Sequence, residues 1–184
     1  TLEEVKQWPF TVWNEPVTSK KMFGFGDDAL FFRFYKHTYD TVKRLCPEIQ
    51  FGSPSMLYIE NLGNADWIYR FIGWCREQSC MPDFMNIHYY ADIILPTSSD
   101  DFFLTKATAS CFPKATDDFS LFIGGIKKIF KTLGVQDKPV YMTEWNFTMS
   151  HRNLISDTSF KTCYIMKNLL KNYDRLDSFC YWSL

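Results

Sequence analysis

The chain has 184 residues, 46% of them hydrophobic, with 20 Lys plus Arg set against 21 Asp plus Glu. That is enough apolar material for one domain with a real core, and a near-zero charge without a long basic run excludes a surface built to neutralise nucleic acid. No stretch approaches the roughly 20 consecutive apolar residues that would span a bilayer, and the opening TLEEVKQW lacks the pattern of a signal peptide.

In chain order, short apolar runs alternate with longer amphipathic ones. The strand-like runs are PFTVW (9–13), IQFGS (49–53), FMNIHYY (84–90), PVYMTEW (139–145) and SFCYW (178–182). Helices are expected at about 28–46, 64–79, 116–133 and 156–173. The first has Phe31, Phe34, Tyr35, Thr38, Val42 and Leu45 on one stripe, with Asp27 or Asp28 to cap it, and stops before Pro47. The second buries Ile68, Phe71, Ile72 and Cys75. The third carries Phe119, Phe122, Ile123, Ile126 and Phe130 and ends at Gly134. The fourth carries Phe160, Tyr164, Ile165, Leu169 and Leu170.

Strands too apolar to be wetted on one face, each followed by a helix, specify α/β architecture with a parallel sheet. One irregular insert, 91–115, follows the third strand and is long enough to be a functional loop. Nothing in the composition divides the chain, so a single domain over 1–184 is expected.

In parallel α/β sheets, function gathers where the strands end and the loops begin. The polar endings here are Asn14-Glu15, Gly52-Ser53-Pro54, His88-Tyr89-Tyr90, Thr143-Glu144-Trp145-Asn146 and Tyr181-Trp182. Two carboxylates facing one cleft are the minimum apparatus for breaking a glycosidic bond, one as proton donor and one at the anomeric carbon, and Trp145 and Trp182 offer flat faces for a sugar ring. Singly, each of these residues has a plainer role as a solvated strand end or a core side chain. Their joint placement is what points to chemistry.

WNEP closing one strand, HxY (His88 to Tyr90) closing another and TEWN closing a third resemble the retaining TIM-barrel glycosidases of clan A. With the FGSPS strand, the set is most similar to glycoside hydrolase family 39, the β-xylosidase and α-L-iduronidase family. The resemblance implies that Glu15 is the general acid/base, which must hold its proton when substrate binds, and that Glu144 is the ionised nucleophile. It also implies that Asn14 bonds the sugar 2-hydroxyl, Tyr90 donates to Glu144, His88 lines the pocket and Trp182 forms a stacking wall. The two carboxyl groups of a retaining enzyme should lie about 5 to 5.5 Å apart.

A full barrel needs eight strands and about 250 residues. If Glu15 ends strand four and Glu144 strand seven, the chain supplies strands four to eight of a partial (β/α)8 barrel. It is therefore expected to be a piece of a larger glycosidase, weakly active or inactive alone, with open sheet edges through which it forms homo-oligomers. The alternatives are another clan A retaining glycosidase with a different sugar, or a non-catalytic carbohydrate-binding module of the same fold. A carbohydrate is the expected partner in either case, with no nucleic acid and no membrane.

Three histidines and unspaced cysteines offer no metal-ligand set, and no cofactor is expected. The six cysteines lack CxxC spacing and read as free buried thiols, which favours a reducing, cytoplasmic setting while leaving export by a removed leader open. Asn146-Phe147-Thr148 matches a glycosylation acceptor, but its place on the catalytic rim makes it a chance match.

Overall fold

The computed structural model describes residues 1–16, 27–57, 64–91, 117–148 and 154–182. The insert beyond Ala91, with its Ser98–Asp101 run and Cys111, lies outside the described residues, as does Thr116.

A short helix α1 (Leu2–Val5) precedes β1 (Pro9–Phe10), and then come α2 (Asp28–Leu45), β2 (Gln50–Phe51) and β3 (Met56–Leu57). The chain continues through α3 (Asn64–Glu77), β4 (Met85–Tyr90), α4 (Asp118–Thr132), β5 (Val140–Asn146), α5 (Ser159–Asn172) and β6 (Ser178–Tyr181). All ladders are parallel: β1 pairs with β2, and β3, β4, β5 and β6 follow one another in a second sheet. Backbone bonds stitch the two together. Gly52 N donates to Phe10 O, Ser53 N to Phe84 O and Glu15 N to Ser55 O, so strand neighbours in space are neighbours in sequence. That order is the one a barrel wall requires.

Two of the expected strands are shorter or broken. The first pairs only at Pro9–Phe10 and touches its neighbour again at an Asn14–Ser55 bridge, because Trp13 (φ 68°) and Glu15 (φ 42°) take left-handed backbone that a strand cannot absorb. The second is shortened to Gln50–Phe51, and beyond Pro54, which has no N–H to give a ladder, the chain re-enters the sheet as β3 outside the expected run.

The helices follow their sequence signals closely. Asp27 caps α2 by accepting from Ala29 N at 2.8 Å, and Lys43 and Arg44 sit in its last turn, where the helix dipole favours cations. Phe31, Phe32 and Tyr35 of α2 bury against Trp67 and Phe71 of α3, with the Trp67 and Phe71 rings stacked 5.1 Å apart. Phe119, Ile123, Ile126 and Phe130 of α4 complete the apolar layer. Gly134, in left-handed backbone at φ 66°, lies two residues past α4.

Three packing expectations are corrected. Leu45 at the end of α2 and Leu170 on α5 are exposed, whereas Asn168 and Asn172 occupy the core-facing stripe of α5. Each of these amides donates to the carbonyl one turn earlier, and Asn172 also accepts from Arg175, so burial leaves them satisfied. Of the described cysteines, Cys75 and Cys80 are buried, but Cys163 and Cys180 are exposed; all are free thiols. No described helix is long and apolar enough to cross a membrane.

Candidate active site

On β4 the period-two alternation sorts side chains cleanly. Met85, Ile87 and Tyr89 join the apolar layer, and Asn86, His88 and Tyr90 project to the opposite face. Regular alternation on β5 would send Thr143 and Glu144 to opposite faces. It is interrupted there: Ile87 pairs with Met142 and His88 with Glu144, leaving Thr143 as an extra residue. The β6 register slips over the same stretch, between Met142 and Trp145. This bulge lets Thr143 and Glu144 both reach the polar face, a use of bulges common beside active sites.

Glu15 arrives from the other side. The left-handed residues on both sides of Asn14 turn the carboxylate inward, at a backbone cost of about 1–3 kcal/mol each that the surroundings must offset. Asn14 is held by Ser55, whose Oγ donates to Asn14 Oδ1 at 2.9 Å. Glu15 is only 8% exposed and His88 1%, so the contact between them is nearly dry.

His88 Nδ1 lies 2.7 Å from Glu15 Oε1 and 3.4 Å from Glu144 Oε2, and its Nε2 is 3.0 Å from Thr143 Oγ1. The Tyr90 hydroxyl donates to Glu144 Oε2 at 2.7 Å. Burial first, and the neighbouring Glu144 second, push the Tyr90 phenol well above its ordinary range, so it stays a donor. One ligand-type atom from each of Glu15, His88 and Glu144 falls within 4.8 Å of the others. The expectation of no ligand set among the histidines missed this grouping, in which Glu15 and His88 alone are 73 positions apart. The bonds the three make with one another and with Tyr90 already account for their convergence.

The tryptophans divide. Trp145 is 0% exposed and packs behind the sheet, its ring 4.8 Å from Phe119 and 4.9 Å from Tyr181. It is a core residue on the face away from the carboxylates, and the expectation that it binds substrate is corrected: after the bulge, alternation sends it toward the helices. Trp182 closes β6 with 44% of its surface exposed, and its carbonyl accepts from Asn146 Nδ2 at 2.7 Å. Asn146 also accepts from the Tyr181 hydroxyl at 2.6 Å and from Phe147 N at 2.7 Å, and its side chain is buried in the fold. Sequence reasoning missed Asn86 and Thr143 as members of the site. The i, i+2, i+4 spacing of Asn86, His88 and Tyr90 was the available signal; the bulge at Thr143 had none.

Comparison with known proteins fits this geometry into a family. A β-xylosidase of Geobacillus stearothermophilus is 27% identical over 185 residues, covering 99% of this chain and 34% of that protein. A β-xylosidase of Caldicellulosiruptor saccharolyticus is 28% identical over 182 residues, covering 98% and 34%. The chain thus spans about a third of the length of these relatives. Among solved structures, the GH39 enzyme of Xanthomonas axonopodis pv. citri superposes with a TM-score of 0.79 at 22% identity, covering 98% of this chain and 33% of that one. A monomeric β-xylosidase of Caulobacter crescentus CB15 gives 0.77 at 21% identity, covering 98% and 34%. These likenesses establish the fold as part of a TIM barrel, and the profile of glycosyl hydrolases family 39 matches residues 1–184 from end to end, so the chain belongs to that family.

Proposed function

We propose that this chain supplies the catalytic carboxylates of a retaining O-glycosidase acting on β-xylosides or closely related glycosides. The observation that supports this most is the approach of Glu15 and Glu144 oxygens to within 4.8 Å. An inverting enzyme would hold its carboxyl groups roughly 6.5–9.5 Å apart to admit a water between them. One oxygen of each carboxyl within 4.8 Å of the other leaves little room for a water along that line, which supports direct attack.

In the first step Glu144 attacks the anomeric carbon while Glu15 passes its proton to the leaving oxygen, breaking the glycosidic bond. In the second, Glu15 takes a proton from water, whose oxygen displaces Glu144 from the sugar and restores both carboxyls. Tyr90 orients Glu144 and relieves part of its charge. Asn14 bonds the sugar 2-hydroxyl, an interaction that strengthens in the transition state, while His88 lines the pocket and Trp182 forms a wall; these roles follow from the likeness to the family. The preference for xylosides rests on the names of the two curated relatives.

The chain reads as one partial catalytic domain, with the remaining barrel strands and their sugar contacts supplied from outside these 184 residues. Turnover by the chain alone is expected to be weak or nil, and its outer strands β1 and β6 are the edges through which copies would associate. The test is the full-length protein on an aryl β-xyloside, with proton NMR of the first product formed. Release of the β-anomer, lost in Glu144→Gln, supports the proposal; release of the α-anomer overturns it.

A further inference from the structure

The contacts behind His88 bear on which glutamate holds the proton. Thr143 Oγ1 donates to Asn86 Oδ1 at 2.5 Å, and a threonine hydroxyl has only one proton to give. Toward His88 Nε2, 3.0 Å away, it can then only accept, so the imidazole proton sits on Nε2. In a neutral imidazole Nδ1 is left as a bare lone pair, 2.7 Å from Glu15 Oε1. Two lone pairs do not make such a contact. Glu15 must bring the hydrogen.

We infer that Asn86 and Thr143 are positioning residues that fix the Nε2–H tautomer of His88 and so hold Glu15 as the protonated acid, ready to donate. The chain of bonds runs one way: Glu15 O–H to His88 Nδ1, His88 Nε2–H to Thr143, Thr143 O–H to Asn86. Glu144 Oε2, 3.4 Å from the same Nδ1, takes its hydrogen bond from the Tyr90 hydroxyl instead, which leaves Nδ1 to Glu15. The cost is visible in Asn86 Nδ2, which is buried with no hydrogen-bond partner among the described residues. Turning that amide over would pair the nitrogen with Thr143 Oγ1 and reverse every bond in the chain, placing the imidazole proton on Nδ1, so the His88 tautomer reports which orientation the protein holds.

This inference rests on the reading of Glu15 as the acid/base, but it can fail independently of it, because the proton is read without substrate or turnover. Nitrogen-15 NMR of the full-length protein, labelled at histidine, distinguishes protonated from unprotonated ring nitrogens, and His88→Gln identifies the His88 signals. Near neutral pH, His88 is expected to show a protonated Nε2 and an unprotonated Nδ1. Thr143→Val should convert this to a mixture or to the opposite tautomer, while Thr143→Ser, which keeps the hydroxyl, should restore it. An Nδ1–H tautomer or a doubly protonated ring in the unaltered protein would overturn the inference, and so would an unchanged tautomer in Thr143→Val. If the valine variant does not fold, the unaltered protein and the serine variant decide it.

Discussion

His88 Nδ1 lies 2.7 Å from Glu15 Oε1, so one buried imidazole ties the polar face of β4 to the left-handed turn that follows β1. Neither element could hold the carboxyl alone. The turn aims Glu15 inward, and the histidine gives it a partner where water is nearly excluded. Glu144 meets the same imidazole from β5, with Tyr90 as its donor.

Tyr90→Phe removes that donor and little else. A hydrogen bond to an ionised group contributes about 1.5–3 kcal/mol, so kcat/KM of the full-length protein should fall roughly 10- to 100-fold. Steady-state kinetics on an aryl β-xyloside, with a denaturant melt to show that folding is intact, would check it. An unchanged kcat/KM would show that Tyr90 does not support Glu144 in its proposed role.

Gly52 lies where a side chain has no room. A Cβ built there would run into the Phe84 ring, and the Gly52 carbonyl accepts from the buried Tyr35 hydroxyl at 3.3 Å. Gly52→Ala should therefore cost about 1–3 kcal/mol as the ring is displaced. Thermal unfolding should register a lower Tm by roughly 2–4 °C per kcal/mol. A Tm equal to the parent's would mean the ring moves aside freely.

Burial pushes the Tyr181 phenol up to about 12 from an ordinary 10.0. The folded state thus favours the neutral form, which donates to Asn146 Oδ1. The associated stability is complete below the unfolded value near 10, declines above it, and is lost as pH rises through about 12. Ultraviolet titration of the parent against Tyr181→Phe should show one phenol ionising near pH 12 that the variant lacks. Ionisation of that phenol near pH 10 instead would show that it is not sheltered.

Much of this arrangement was legible in the residues themselves. The apolar runs located the strand sites and the helical stripes located α2, α3 and α4, because both are written in periodicities that local backbone geometry imposes. The carboxylates, His88 and Tyr90 stood out because polar residues closing apolar strands are costly unless used. Trp145 was misplaced for a definite reason: one unpaired residue at Thr143 changes the face of everything after it, and nothing in TEWN announces a bulge. The break after Phe10 was hidden in the same way, since Trp13 and Glu15 are not residue types that advertise left-handed backbone. Asn168 and Asn172 escaped notice because their burial depends on carbonyls and an arginine that only the folded helix brings near.

The division of labour between Glu15 and Glu144 is tested most directly by trapping. A 2-deoxy-2-fluoro-β-xyloside with a good leaving group slows the second step of a retaining enzyme more than the first, so the sugar accumulates on the nucleophile. Incubated with the full-length protein, digested and sequenced by mass spectrometry, the label should be found on Glu144 in the peptide containing YMTEWN. Label on Glu15, or turnover of this substrate with no covalent adduct, would contradict the account.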